Sequence, residues 1–264
     1  MNSPGEIAEI YIMVGDGKTV RKSWVLFLLG IFGGAFIAFG ALGSQIALCA
    51  SSSPAVGRCL SGLVFPIGLM MITIAGGELF TGNCLISISV LSKNTYLHSM
   101  LRSWLVVYLG NFVGGVLIAL AVNYGNVLSV FDGALLNKVV SIAETKSNMS
   151  FMEAFIKAIL CNFMVSIAVW CSFSTEDVIG KILSLYLPVA LFVICGFEHS
   201  IANMYFIPAG IFAQDLYGIA AEGLTWKNMF LNNLLPVTLG NIIGGAGIVG
   251  AGYWLIFLSH TDNE

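Results

Sequence analysis

The sequence is short of charged residues. Only 9% of its 264 residues are charged, eleven of them basic and fourteen acidic, whereas an ordinary soluble domain is about 25% charged. So few charges cannot solvate a globule of this size, which excludes a disordered chain and a nucleic-acid binder with a basic face. The same shortage argues against a cytosolic enzyme, and we expect no catalytic residues and no nucleic-acid partner.

The sequence also lacks the spacings typical of metal and disulfide sites. Its six cysteines include no Cys-x-x-Cys pair, so we interpret them as buried free thiols and expect neither a metal nor a cofactor. What the chain has instead is 58% apolar residues, thirty glycines and a mean hydropathy of +0.92. This composition is typical of an all-α membrane protein, in which small residues let helices approach closely.

Six apolar blocks reach the roughly 20 residues that a helix needs to cross the hydrocarbon core. We predict a single membrane channel domain over residues 1–264, and the second and fifth blocks are longer than one straight span needs. The blocks are Trp24–Ala50, Leu60–Leu91, Trp104–Tyr124, Ala154–Phe173, Ile182–Ala213 and Met229–Leu258.

Residues 1–23 precede the first span and carry too many acidic side chains for a signal peptide. Their apolar residues recur at helical spacing, which predicts either an amphipathic helix on the membrane surface or a loosely packed, solvated tail. Three basic residues precede the first span and one follows it, which favours a cytoplasmic N-terminus. Six spans then place both termini on the cytoplasmic side of the cell membrane. The apolar residues are Ile7, Ile10, Tyr11 and Val14, and the basic ones are Lys18, Arg21, Lys22 and, after the span, Arg58.

The two halves of the chain repeat two motifs in the same order. Gly-x-Glu-x-x-x-x-Asn occurs at 76–83 and at 196–203, and Leu-Gly-Asn-x-x-Gly-Gly occurs at 109–115 and at 239–245. We therefore predict two repeats, 24–123 and 151–258, joined by an extracytoplasmic loop at 124–150. Because each repeat has an odd number of spans, the two insert with opposite orientation, and such repeats place a transport site at broken helices near the midplane.

Three ionisable residues lie deep within the apolar blocks, which makes each a functional candidate. Glu78 and Glu198 occupy equivalent positions beside glycines where a helix can break, and we interpret both as structural acids that accept hydrogen bonds from freed backbone N–H groups. The position equivalent to His199 in the first repeat is the apolar Leu79. A residue needed for the scaffold would be expected in both repeats, but this histidine occurs in only one. We therefore expect His199 to act on the solute, with the hydroxyl of Thr81 orienting its imidazole.

Both broken-helix motifs resemble those of the formate/nitrite transporter family. The resemblance rests on Gly-Glu-Leu-Phe-Thr-Gly-Asn at 77–83 and on Gly-Phe-Glu-His-Ser-Ile-Ala-Asn-Met-Tyr at 196–205, and it covers essentially the whole chain. It looks most like the formate channel and the clostridial hydrosulphide channel, and of these we favour the second. The family implies an aquaporin-like protomer that assembles as a homopentamer, with one pore in each protomer.

The resemblance also implies a set of pore residues. Leu79, Phe80 and Thr81 match the gate and polar contact of the family's mobile loop, and His199 with Asn203 matches its central polar pair. Lys146 matches a lysine that supports the histidine site electrostatically. The residues that match constriction positions are Phe65, Leu69 and Phe192.

The implied function is a channel or transporter for small monovalent anions of weak acids, namely hydrosulphide, formate or nitrite. A bare anion in an apolar constriction is poorly solvated, so two mechanisms are open. His199 donates a proton and the neutral acid crosses, or His199 donates only a hydrogen bond and the ion crosses charged. The alternative function is a water or small neutral solute channel of the aquaporin type. An intramembrane protease and a haem carrier are disfavoured because their motifs are absent.

Overall fold

Six helices are long and apolar enough to cross a membrane, as predicted. They belong to a computed structural model that describes residues 1–259; the last five residues of the predicted domain lie outside that range. The described residues form ten helices and a short 3₁₀ turn at Val127–Ser129, with no strand among them. The helices are α1 (Pro4–Thr19), α2 (Ser23–Cys49), α3 (Pro54–Gly76), α4 (Phe80–Leu91), α5 (Leu97–Tyr124), α6 (Ala134–Ser147), α7 (Phe151–Ser172), α8 (Val178–Cys195), α9 (Ser200–Tyr217) and α10 (Trp226–Phe257).

The second and fifth spans are broken, which confirms that prediction. Residues 77–79 separate α3 from α4, and residues 196–199 separate α8 from α9. A glycine in the left-handed region stands at each break, because a residue with a Cβ is strained there. These are Gly76, with φ of +91°, and Gly196, with φ of +73°.

Helix α1 packs its apolar face against the channel itself, so it is not a loosely packed tail and that face does not lie on lipid. Its N-terminus is closed by a capping box between Ser3 and Glu6. Its apolar face, with Ile7 and Tyr11 buried, joins a cluster of residues from α4, α7 and α10. The Tyr11 hydroxyl donates a hydrogen bond to the Gly82 carbonyl at 3.2 Å, directly behind the first break. The helix periodicity was real, but protein covers the apolar face.

The connection at 124–150, predicted as a loop, contains the helix α6. This helix packs against α9, and it stands in the second half of the chain where α1 stands in the first. Lys18 near the end of α1 and Lys146 near the end of α6 both lie five residues before the following span, 128 positions apart. Each repeat is therefore one surface helix followed by three spans, of which the middle one is broken.

Glycines set the closest helix contacts in both repeats. A Cβ on Gly114 of α5 would lie 2.1 Å from the Ile31 carbonyl oxygen of α2, and one on Gly244 of α10 would lie 2.2 Å from the Ile159 carbonyl oxygen of α7. Both distances are far below van der Waals contact, so only glycine fits. Ile31 and Ile159 are also 128 positions apart. The two outer spans of each repeat thus pack against each other in the same way.

Candidate functional site

The two helix breaks meet at a single hydrogen bond. Thr81 Oγ1 at the start of α4 lies 2.9 Å from His199 Nε2, and both side chains are buried. This is the contact that the sequence predicted between the two halves. It joins residues 118 positions apart, so the folding of both repeats is needed to form it.

Asn111 of α5 holds the backbone of the first break. Its Oδ1 accepts a hydrogen bond from the Phe80 N–H at 3.0 Å, which is a donor that the break leaves unpaired. Its Nδ2 donates to the carbonyls of Gly30, at 2.7 Å, and Glu78, at 2.8 Å. One fully buried side chain thereby ties the break to α2.

Asn241 of α10 does the same for the second break. Its Oδ1 accepts from the Ser200 N–H at 2.9 Å, and its Nδ2 donates to the carbonyls of Ala158, at 2.8 Å, and Glu198, at 3.0 Å. We predicted that the two glutamates would hold the freed N–H groups, and this was wrong. An amide can both donate and accept, so the asparagines satisfy the broken backbone while the carboxylates are left to bind cations.

Glu78, which is 2% exposed, binds two cations from the N-terminal segment. Lys18 Nζ lies 2.6 Å from its Oε2 and Arg21 Nη1 lies 2.9 Å from its Oε1. Lys18 also donates to Asn83 Oδ1 at 2.9 Å. The sequence reasoning missed Lys18 as a site residue, although its position 128 residues before Lys146 was a usable signal.

Glu198, also 2% exposed, binds Lys146 through both carboxylate oxygens, at 2.7 and 2.9 Å. Asn203 Nδ2 donates to Glu198 Oε2 at 2.7 Å and to Asn233 Oδ1 at 2.7 Å. Lys146 Nζ also lies 5.3 Å from the ring centroid of Phe206. Asn203 therefore orients the Glu198–Lys146 pair through its side chain. Toward His199, its predicted partner, it donates its backbone N–H, which lies 3.0 Å from the His199 carbonyl oxygen.

The two hydrogen bonds of His199 fix which nitrogen carries its proton. His199 is the N-cap of α9, where its Nδ1 accepts from the Ala202 N–H at 3.0 Å. An accepting Nδ1 is unprotonated, so the neutral ring carries its proton on Nε2 and donates it toward Thr81 Oγ1. The ring is stacked on Phe192, with centroids 5.9 Å apart.

Buried apolar side chains stand on both sides of the Thr81–His199 pair. Phe65 and Phe192 meet edge to face at 5.5 Å between centroids, and Phe80 packs edge to face on Trp104 and Tyr108. The predicted constriction residues thus all lie in the core around the breaks. They are Phe65, Leu69, Leu79, Phe80 and Phe192.

A basic cavity of about 460 Å³ leads to His199. Phe65, Phe192 and His199 line it, and Thr81 does not. Cationic side chains from α3, α6 and α7 surround it, and such a wall concentrates anions at its mouth. These side chains are Arg58, Lys138, Lys146 and Lys157. Within residues 1–259, no group of three or more His, Cys, Asp or Glu side chains is arranged to hold a metal ion.

Comparisons with known proteins all find similarity to one family of transporters and channels. A family model described as formate/nitrite transporter matches residues 5–255. The chain is 38% identical to the formate channel BtFdhC of Bacillus thuringiensis, covering 99% of this chain and 98% of that one. It is 35% identical to the formate channel FocA of Escherichia coli strain K12, covering 99% and 96%.

Two solved structures share the fold along nearly their whole length. One is a pentameric formate channel with formate bound, with a TM-score of 0.78 and 34% identity over 89% of this chain and 98% of that one. The other is an FNT family ion channel, with a TM-score of 0.85 and 28% identity over 95% and 98%.

Proposed function

This chain belongs to the formate/nitrite transporter family, and from that premise we propose that formate is its principal solute. The chain is a multi-pass membrane channel for small anions and not an enzyme, and the aquaporin-type alternative is not favoured. Formate is put first because the relatives compared above are formate channels. Nitrite and hydrosulphide are further candidates, since both are small monovalent anions of weak acids.

We further propose a pentamer with both termini in the cytoplasm. A solved relative is pentameric, and each protomer here contains a complete pair of broken helices, so each would carry its own pore. The orientation rests on Lys18, Arg21 and Lys22 before the first span, because basic residues near span ends remain on the cytoplasmic side. The basic cavity then faces outward.

The observation that carries the function is the polar pair Thr81–His199 at the end of a basic cavity, behind two aromatic rings. Lys146 is paired with Glu198 and Lys157 with Glu153, at 2.7 and 2.6 Å. Arg58 and Lys138 therefore supply most of the charge that attracts an anion into the cavity. Phe65 and Phe192 then strip its water, which costs free energy unless a donor replaces the lost hydrogen bonds. His199 Nε2–H is a donor in the correct place, and because Thr81 Oγ1 accepts from it at 2.9 Å, the hydroxyl proton of Thr81 is free to turn toward the solute.

We infer that His199 serves as a neutral hydrogen-bond donor and the anion crosses charged. To give a proton to the anion, the ring must first hold protons on both nitrogens. A proton on Nδ1 would displace the Ala202 N–H from its 3.0 Å hydrogen bond and remove the cap of α9. The cap therefore opposes the doubly protonated ring that proton donation requires.

Uptake by proteoliposomes tests the function. Vesicles with the wild-type chain should take up labelled formate faster than empty vesicles and should swell no faster in a glycerol gradient. His199→Ala should lose roughly tenfold in formate uptake, the equivalent of about 1.4 kcal/mol in the barrier. His98→Ala is the matched control, because His98 is exposed and stacked on Tyr96 away from the breaks. Swelling without formate uptake would refute the proposal.

Electrical recording separates the two mechanisms. If the anion crosses charged, the current stays proportional to formate flux as the pH falls from slightly alkaline to mildly acidic. If His199 protonates the solute, flux continues while the current per formate declines. The second result would overturn the role inferred from the Ala202 hydrogen bond.

A further inference from the structure

Gln45 of α2 has a buried donor that no residue in the described range accepts. The side chain is 1% exposed, and its Nε2 has no hydrogen-bond partner. Its Oε1 is held by the Tyr205 hydroxyl, which donates to it at 3.3 Å. Leaving a buried amide N–H unpaired is costly, so a fold retains such a group only for a reason.

The repeat shows that Gln45 is not part of the scaffold. Residues that hold the breaks occur twice, as Asn111 and Asn241 do. Ser44 has Ser172 as its counterpart 128 positions later, but the counterpart of Gln45 is the aromatic Phe173. Gln45 shares with His199 the property of being a polar residue present in one repeat only.

Gln45 lines the basic cavity together with Phe65, Phe192 and His199. Ser44 and Ser61, which line the same cavity, share one hydrogen bond at 2.6 Å between hydroxyl oxygens, in which one hydroxyl donates to the other. The Gln45 amide is therefore a neutral donor in this wall that an incoming solute can use. An oxygen of an oxyanion accepts such a hydrogen bond well, whereas sulfur accepts weakly.

We propose that Gln45 Nε2 donates a hydrogen bond to a small oxyanion waiting in the cavity before the Phe65–Phe192 pair, and so helps to select oxyanions over hydrosulphide. The cavity cations supply attraction that does not depend on the anion's shape, while the Gln45 amide supplies a donor that favours oxygen. This inference rests on the proposed function, because it assigns a residue to the recognition of the same solute.

The test is the concentration dependence of formate uptake in proteoliposomes that contain the full chain. Gln45→Met replaces the amide with an apolar side chain of similar length. It should raise the half-saturating formate concentration roughly tenfold and leave the maximal rate unchanged, which corresponds to about 1.4 kcal/mol of lost binding. His98→Ala, at an exposed side chain that does not line the cavity, should leave both parameters at their wild-type values.

Two further variants keep the proposal open to refutation should Gln45→Met fail to fold. Tyr205→Phe removes the hydroxyl that holds Gln45 Oε1 and should raise the half-saturating concentration by a smaller factor. Gln45→Glu places acceptors and a negative charge at the site and should abolish uptake.

An unchanged half-saturating concentration in Gln45→Met, or full uptake by Gln45→Glu, would overturn the role of Gln45. A fall in the maximal rate as large as the rise in the half-saturating concentration would overturn it in favour of a structural role. A wild-type chain that carries no formate would refute the proposed function itself, before any variant is compared.

Discussion

Removing the lysine partner of each buried glutamate should have unequal effects on stability. Lys146→Met leaves Glu198 without a cation from the described residues, because among residues 1–259 only Lys146 forms an ion pair with it. Lys18→Met leaves Glu78 with Arg21 at 2.9 Å. Methionine keeps the length and apolar stem of lysine, so the comparison isolates the charge.

The size of the expected stability loss follows from the burial of Glu198. Glu198 is 2% exposed, and removing one partner of a buried ion pair costs about 3–5 kcal/mol. At about 2 °C per kcal/mol for a chain of this size, Lys146→Met should lower the melting temperature by roughly 6–10 °C. Arg21 keeps Glu78 neutralised but its own side chain is 46% exposed and screened by solvent. We expect Lys18→Met to cost about half as much or less.

Thermal unfolding of the detergent-solubilised protein, with intrinsic fluorescence as the readout, measures both shifts. The double variant Lys146→Met, Glu198→Gln removes the unpaired charge and should recover most of the lost stability. Replacing both partners of a buried ion pair costs far less than leaving one of the two charges unpaired. If Lys18→Met proves as damaging as Lys146→Met, or if the double variant does not recover, the reasoning from charge burial is wrong.

Three other substitutions test the site. Asn241→Leu removes three buried hydrogen bonds at the second break, at about 1–3 kcal/mol for each group left unpaired, so no folded protein should elute in size-exclusion chromatography. Thr81→Val should reduce formate uptake roughly tenfold while Thr81→Ser retains it, because only the hydroxyl reaches His199. Gly196→Ala should lower stability by about 1–2 kcal/mol in the same thermal assay, because its φ is +73° and Arg58 Nη1 lies 2.7 Å from the new Cβ.

The fold was largely predictable, because span length, glycine spacing and the repeated motifs are local features of the sequence. The meeting of Thr81 and His199 was also predictable, since inverted repeats bring their breaks together. The roles of Asn111 and Lys18 were not. A hydrogen bond from an amide to a carbonyl on another span depends on packing distance, and a lysine in a surface helix gives no local sign that it reaches a buried acid. Only the equal spacing in both repeats links Lys18 to Lys146.

The order of the ion pairs along the chain has a consequence for biogenesis. In each repeat the lysine is synthesised before the glutamate that it neutralises, Lys18 before Glu78 and Lys146 before Glu198. A ribosome-bound chain therefore never presents a carboxylate to the lipid before its counter-ion exists. Since an unpaired charge at membrane depth costs at least about 2.5 kcal/mol, this order lets each broken span enter the bilayer when a partner for its carboxylate has already been made, one repeat at a time.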